Sequence, residues 1–224
     1  MSLICVIPAR GGSKGILRKN LQLVGGVPLI SRAVQTVISS GVADKVVVST
    51  EDAEIAEHAV ACGATHVLRP DELATDEATS EDVLLHALGA LGVATGRLLF
   101  FQPTTPLLRS TDLQQLVDAH AGYDSSLTVA ESHGFLWRSA AGGSLTGVNH
   151  DARTRLRRQD LQETEFLENG AAYLMQVSGF LQARHRFFGT IGFSVMPQLR
   201  SIEVDTPDDL LLVQLIDTTL RGRS

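Results

Sequence analysis

Short runs of consecutive apolar residues alternate along this chain with longer stretches in which apolar positions recur every three or four residues. Residues 3–7 (LICVI) are continuously apolar, the pattern of a strand buried on both faces. Pro28 and Gly41 bracket a helix that puts Ile30, Ala33, Val34, Val37 and Ile38 on one face. Residues 45–49 (KVVVS) predict the next strand, 52–62 a helix closed by Gly63, and 66–68 a short strand. A helix over 79–91, a strand over 97–102 (RLLFFQ), a helix over 110–120 and a strand over 125–131 follow. Strand, helix, strand repeated in this way implies right-handed crossovers and a mostly parallel α/β sheet.

The pattern loosens between 131 and 170, where Gly142, Gly143 and Gly147 precede the charged run Arg153, Arg155, Arg157 and Arg158. This stretch reads as an excursion from the sheet. Strands return over 171–177 and 192–196, and a last helix has Thr206 as N-cap, Pro207 in its first turn, and Asp208 and Asp209 facing its positive dipole end. No repeat, linker or low-complexity tract divides the chain, which predicts a single domain over 1–224 with one excursion.

Composition narrows the function classes. Nineteen Lys+Arg against 25 Asp+Glu give a net charge of −6, which argues against a nucleic-acid partner with its need for a basic face. A small anionic substrate held by local cations remains open. The two cysteines, Cys5 and Cys62, form no CxxC and read as small reduced core residues. Arg10 ends the N-terminal apolar run early, and no segment reaches the roughly 18 apolar residues of a membrane span. The expectation is a soluble, cytoplasmic protein without a membrane partner.

Four places carry candidate chemistry. After the first strand stands Ala9-Arg10-Gly11-Gly12-Ser13-Lys14-Gly15, then Arg18-Lys19-Asn20, with four cations and three glycines between positions 10 and 19. Beyond the carboxyl end of a parallel strand, glycines admit a phosphate close to backbone N–H groups and cations supply charge-assisted bonds. The spacing is neither GxxxxGK[ST] nor GxGxxG. A solvated basic turn is the bland alternative. In 201–207 (SIEVDTP), read as a strand, Glu203 and Asp205 point to one face, suiting Mg²⁺ or simply a solvated strand end. Gln102, followed by Pro103, Thr104, Thr105 and Pro106, ends a buried strand in a stiff loop. Arg157-Arg158 and, further on, Glu168-Asn169-Gly170 suit a carboxylate or a solvated face. The seven histidines show no metal spacing, and neither GxSxG nor a flagged cysteine nucleophile occurs.

Taken in order, IPARGGSKG–RKN, VVVST, LRPDELATDEATS, QPTTP, RRQDL, ENGAAY and SIEVDTP resemble the acylneuraminate cytidylyltransferases from Ile7 to about Leu210. The resemblance implies a Rossmann-like nucleotidyltransferase fold and the reaction of CTP with a nine-carbon 2-keto sugar acid to give a CMP-sugar and pyrophosphate. In that reaction the anomeric hydroxyl attacks the CTP α-phosphate directly, assisted by Mg²⁺. It implies that Arg10, Lys14 and Asp205 are catalytic. It also implies a nucleotide site of Ala9, Arg10, Gly11, Gly12, Ser13, Lys14, Asn20, Arg69, Asp76 and Ser80. Gln102, Thr104, Arg158 and Asn169 would contact the sugar, and Asp205 with Glu203 would hold the metal. The family is usually a homodimer in which an arm similar to 131–170 reaches the partner's site. Glu203-Val204-Asp205 stands where the family usually has Asp-Ile-Asp, and Leu167 where members often carry Arg. Legionaminic or pseudaminic acid is the alternative substrate, and a non-catalytic nucleotide-sugar binding protein the alternative class.

Overall fold

Residues 3–7 are buried throughout, and their side chains divide between two cores. Leu3, Cys5 and Ile7 enter one, Ile4 and Val6 the other, as alternation along a strand requires. The strand lies inside a seven-stranded sheet, flanked on both sides by parallel neighbours, in a computed structural model that describes residues 2–154, 156–160 and 163–222, the side chain of Arg158 excepted.

In chain order, β1 (Leu3–Pro8) leads through a small hairpin of β2 (Leu23–Val24) and β3 (Val27–Pro28) into α1 (Leu29–Ser40). Then come β4 (Lys45–Thr50), α2 (Ala53–Ala61), β5 (Thr65–Leu68), α3 (Ser80–Ala90), β6 (Arg97–Phe101), α4 (Ser110–Ala119) and β7 (Ser125–Ser132). A surface hairpin of β8 (Trp137–Ser139) and β9 (Leu145–Gly147) precedes β10 (Glu165–Gln176), α5 (Val177–Ala183), β11 (Ile191–Met196) and α6 (Pro207–Arg221). The sheet order is β11-β7-β10-β6-β1-β4-β5, all parallel except β10, which runs antiparallel to both neighbours. Helices α1, α2 and α4 cover one face through Val34, Ile55 and Leu116; α3 and α5 cover the other through Leu84, Leu88 and Phe180. The chain runs outward from β1 to β5, then returns to place β6 on the other side of β1. That reversal opens a crevice beyond the carboxyl ends of β1 and β6.

The structure departs from the sequence pattern in particular places. Strand β10 begins at Glu165 rather than 171, because its first residues pair with the end of β7. The described residues of 131–170 that leave the sheet therefore lie between Ser132 and Glu165. The register of β10 against β7 shifts between Glu168 and Tyr173, with Gly170 at φ +66° in the left-handed region. Residues 201–206 are not a strand but a crossing segment: among the described residues they pair with no strand of the sheet, and Val204 N–H is instead bonded to the Thr104 carbonyl. Ile38, expected on the core face of α1, is 45% exposed in the helix's last turn, at the rim of its apolar stripe. Cys5 and Cys62 are free, and burial pushes the Cys5 thiol pKa up.

One buried group makes stability pH-dependent. His120, just after α4, is 3% exposed, and its Nδ1 lies 2.8 Å from Ser126 Oγ. Burial lowers its pKa, Arg97 lowers it further, and Asp124 opposes both. A lowered folded pKa means that the unfolded chain binds the proton more readily. The stabilisation is thus complete above the ordinary imidazole range near 6.5 and declines as pH falls through the depressed folded value. Thermal midpoints compared at pH 7.5 and 5.0 are expected to fall less in His120→Asn than in the parent; equal slopes would remove His120 as a source.

Candidate active site

The loop after β1 is fixed before any ligand arrives. Ala9 N–H donates to the Ser49 carbonyl at 3.0 Å, extending the β1–β4 ladder by one residue. Gly11 N–H donates to Glu51 Oε1 at 2.7 Å, and a Cβ on Gly11 would meet the Asp52 carboxylate. Asn20 Nδ2 donates to the Arg10 carbonyl at 2.9 Å from a buried position, closing the loop from beneath. The far end is held by Arg18, at φ +51°, whose guanidinium donates to Asp52 at 2.9 and 3.1 Å and to Glu54 at 2.7 Å. Asp52 is also the N-cap of α2, accepting from Glu54 and Ile55 N–H. Arg18 is thereby committed to the α2 side, while Arg10, Ser13, Lys14 and Lys19 line a cleft of about 380 Å³. That is within the size range of small-molecule sites.

The opposite wall carries one carboxylate that faces both loop cations. Arg10 Nη1 and Lys14 Nζ each lie 2.7 Å from an Asp76 oxygen. These bonds, Lys14's first and then Arg10's, hold the Asp76 carboxyl below the usual carboxylate range. Arg69, 4% exposed, donates to the Ser49 carbonyl at 2.6 Å; burial pushes its pKa down, and the charge of Glu51 opposes that. Ser80 opens α3 directly after its N-cap Thr79, whose hydroxyl accepts from Asp82 N–H. The first turn of that helix presents its backbone end to the cleft, a favourable place for anionic or polar ligand groups.

The third wall joins the loop after β6 to the segment before α6. Gln102 and Thr104 line the cleft from the β6 side, and Asp205 lines it from the other. Val204 N–H donates to the Thr104 carbonyl at 2.7 Å, and Thr104 Oγ1 to Glu203 Oε1 at 3.0 Å. Lys19 Nζ lies 2.9 Å from Asp205 Oδ1. Burial, then the charge of Asp205, pushes the Glu203 carboxyl pKa up. Ile16, Leu107, Val204 and Val213 share one small apolar cluster, so the cation loop, the post-β6 loop, the acidic segment and α6 are anchored together. A Cβ on Gly15 would collide with the Asp205 carbonyl, which brings the loop directly against the acidic segment. Arg200 donates to Asp112 on α4 at 2.5 and 3.2 Å, tying down the start of that segment.

Most of the candidate residues converge. Arg10, Ser13, Lys14, Asn20 and Arg69 line one cleft, together with Asp76, Ser80, Gln102, Thr104 and Asp205. Ala9 lies in the core; Gly11 and Gly12 shape the loop without lining the cleft. Glu203 stands behind Thr104 rather than on the wall. Its placement beside Asp205 comes from the crossing segment, in which Val204 is buried between them, and not from a strand. Asn169 is brought elsewhere: it is buried at the β10 bulge, accepting from Thr128 Oγ1 at 2.7 Å and donating to Ser201 Oγ at 3.1 Å. Its amide is spent on holding the bulge to the 201 segment. The side chain of Arg158 lies outside the described residues. Sequence reasoning passed over Glu51, the acceptor of Gly11 N–H, and Phe100 and Val83, which form the apolar part of the wall. Only their positions at a strand end and on a helix face signalled them.

The fold is a Rossmann-like α/β sheet with a cation loop and an acidic segment across its switch point. A family model described as cytidylyltransferase matches residues 4–185. The chain belongs to the cytidylyltransferase family. Among curated relatives it is similar to an N-acylneuraminate cytidylyltransferase of Streptococcus agalactiae, 31% identical over 95% of this chain and 52% of that one. It is likewise similar to N-acylneuraminate cytidylyltransferase A of Danio rerio, 32% identical over 91% of this chain and 48% of that one. The chain thus spans about half the length of these relatives. A solved CMP:2-keto-3-deoxy-manno-octonic acid synthetase complexed with CTP shares the fold at TM-score 0.72, with 13% identity and both chains fully covered. A 4-diphosphocytidyl-2C-methyl-D-erythritol synthase from Anaerococcus prevotii follows at TM-score 0.71, with 11% identity over 98% of each chain. Among the described residues no helix is long and apolar enough to cross a membrane.

Proposed function

We propose that this protein is a cytidylyltransferase for a nonulosonic acid, joining CTP and an N-acylneuraminate to give the CMP-sugar and pyrophosphate. The observation that carries the reading is the convergence of Arg10 and Lys14 with Asp205 across one cleft at the sheet's switch point. The similarity to N-acylneuraminate cytidylyltransferases supports the base and the sugar class.

In this reading Arg10 and Lys14 exchange Asp76 for the CTP phosphates, with the Gly11–Glu51 bond keeping the loop backbone in place. Ser80 and Asn20 position the nucleotide, and Arg69 stiffens the wall behind it through Ser49. Gln102 and Thr104 lie on the acceptor side, where the anomeric hydroxyl has an approach to the α-phosphate. The cations offset charge that grows on the phosphate oxygens during transfer.

Asp205 and Glu203 fit a divalent cation. Asp205 offers a carboxylate on the cleft wall, and Glu203, two residues earlier and set back behind Thr104, is the second. Hard oxygen donors of this kind are what Mg²⁺ takes, usually with phosphate and water completing its shell. Mg²⁺ bound there would neutralise phosphate charge and orient the leaving pyrophosphate.

A homodimer is part of the proposal, supported by exposed Leu136, Trp137, Leu145 and Val148 on the excursion and Phe193 and Val195 on the edge strand β11. The 131–170 arm would then complete the partner's sugar site, in the cytoplasm where CTP is available. The test is pyrophosphate release from CTP and Mg²⁺ with N-acetylneuraminate, legionaminic acid and pseudaminic acid in separate reactions. Release with the first is expected. Release with another sugar alone changes the substrate, and silence with all three from a chain that still binds CTP supports the binding-protein reading.

A further inference from the structure

Directly behind the cleft wall lies an ion pair that no motif contains. Arg186, in the turn between α5 and β11, donates through Nε to Glu81 Oε1 at 2.7 Å and through Nη2 to Oε2 at 3.1 Å. Both side chains are largely withdrawn from solvent, at 18% and 13% exposure. Glu81 follows Ser80 in the first turn of α3. The guanidinium carbon sits 5.0 Å from the Phe100 ring centre and 4.7 Å from that of Tyr173, and the two rings stack 5.3 Å apart at 17°. Phe100 lines the cleft, and Tyr173 on β10 donates through its hydroxyl to Glu168. One planar cation thus touches the first turn of α3, the β6 wall and β10.

We propose that Arg186 is a positioning residue that fixes the Ser80 turn of α3 against the Phe100–Tyr173 pair and so sets affinity for CTP. The inference rests on the proposed function, since it assigns the Ser80 turn to the nucleotide. A fork that is bidentate to a carboxylate and also stacked on aromatic faces is a role lysine cannot reproduce. Losing it would leave the largely buried Glu81 carboxylate without its counter-charge and free the first turn of α3 to shift. The chemistry would be spared, because Arg186 itself does not line the cleft.

The experiment measures CTP binding calorimetrically without acceptor, then turnover at saturating CTP, for the parent chain, Arg186→Lys and Glu81→Gln. Arg186→Lys is expected to weaken CTP binding about tenfold, with kcat within about threefold and the acceptor KM unchanged. Glu81→Gln should give a smaller loss of the same kind. A purely structural role would instead lower the thermal midpoint and the active fraction while leaving the affinity of folded molecules intact. Parent-like CTP affinity in folded Arg186→Lys overturns the proposal. If that variant does not fold, parent-like affinity in Glu81→Gln overturns it. A parent chain that binds no CTP at all removes the cytidylyltransferase reading itself, and this inference falls with it.

Discussion

Asp205→Asn is expected to lower turnover by about a thousandfold, roughly 4 kcal/mol of transition-state stabilisation, without unfolding the chain. The substitution keeps size and hydrogen bonding but removes the charge. Lys19, 17% exposed at its side chain, loses its ionic partner and is left beside a neutral amide. The fold itself rests on Val204 N–H bonded to the Thr104 carbonyl and on Val204 in the small apolar cluster, neither of which involves the Asp205 carboxylate. Pyrophosphate release followed against Mg²⁺ concentration reads the effect. The variant should need far more Mg²⁺ for half-saturation as well as turning over slowly. Glu203→Gln provides the contrast. Its carboxyl is set back behind Thr104, so a loss of about tenfold is expected. Retention of a tenth or more of parental turnover by Asp205→Asn, at unchanged Mg²⁺ dependence, would exclude Asp205 from the metal site.

The contrast between those two acids bears on what the sequence could reveal. Composition and periodicity were enough for a mostly parallel sheet with β1 buried in its interior, because a strand buried on both faces must be apolar at every position. The cation loop was legible too, since four cations and three glycines are conspicuous in an acidic chain. What periodicity did not carry was anything fixed by a distant partner. The 201–206 segment has strand-like alternation, yet it crosses the strand ends, held by Thr104 after β6 and, through the adjacent Arg200, by Asp112 on α4. Asn169 sits in a short motif that pointed to substrate, but its amide is consumed by Thr128 and Ser201 at a bulge that only the β7 pairing creates. Arg186 and Glu81 are 105 positions apart, and neither stands in a pattern that would single it out. Local chemistry is written locally; a bulge or a stacked ion pair depends on which strands become neighbours.

Lys14→Ala should reduce kcat/KM for CTP by a factor of about 100 to 1,000 while leaving the thermal midpoint nearly unchanged. The two halves of that expectation have one cause. The Lys14 side chain is 78% exposed, and its only ionic partner among the described residues is Asp76, itself 41% exposed. Pairs so open to water add little to stability. Against a triphosphate the same cation acts at close range in a partly enclosed cleft, where its charge is screened less. Asp76 sharpens the test. It occupies both loop cations in the free protein, and with Lys14 gone its negative charge would face the phosphates with Arg10 alone to offset it. The double variant Lys14→Ala/Asp76→Asn is therefore expected to bind CTP more tightly than Lys14→Ala, by about three- to tenfold, since repulsion is removed even though no attraction is restored. The recovery should hold across pH 6 to 8, because Lys14 and Arg10 keep the Asp76 carboxyl ionised well below that window in the parent and the usual carboxylate pKa of about 3.9 keeps it ionised in the single variant. A Lys14→Ala enzyme within threefold of the parent would mean that the loop's exposed cation is a solvated charge and that Arg10 alone meets the phosphates. A double variant no better than the single one would assign Asp76 to shaping its loop rather than to holding the cations in reserve.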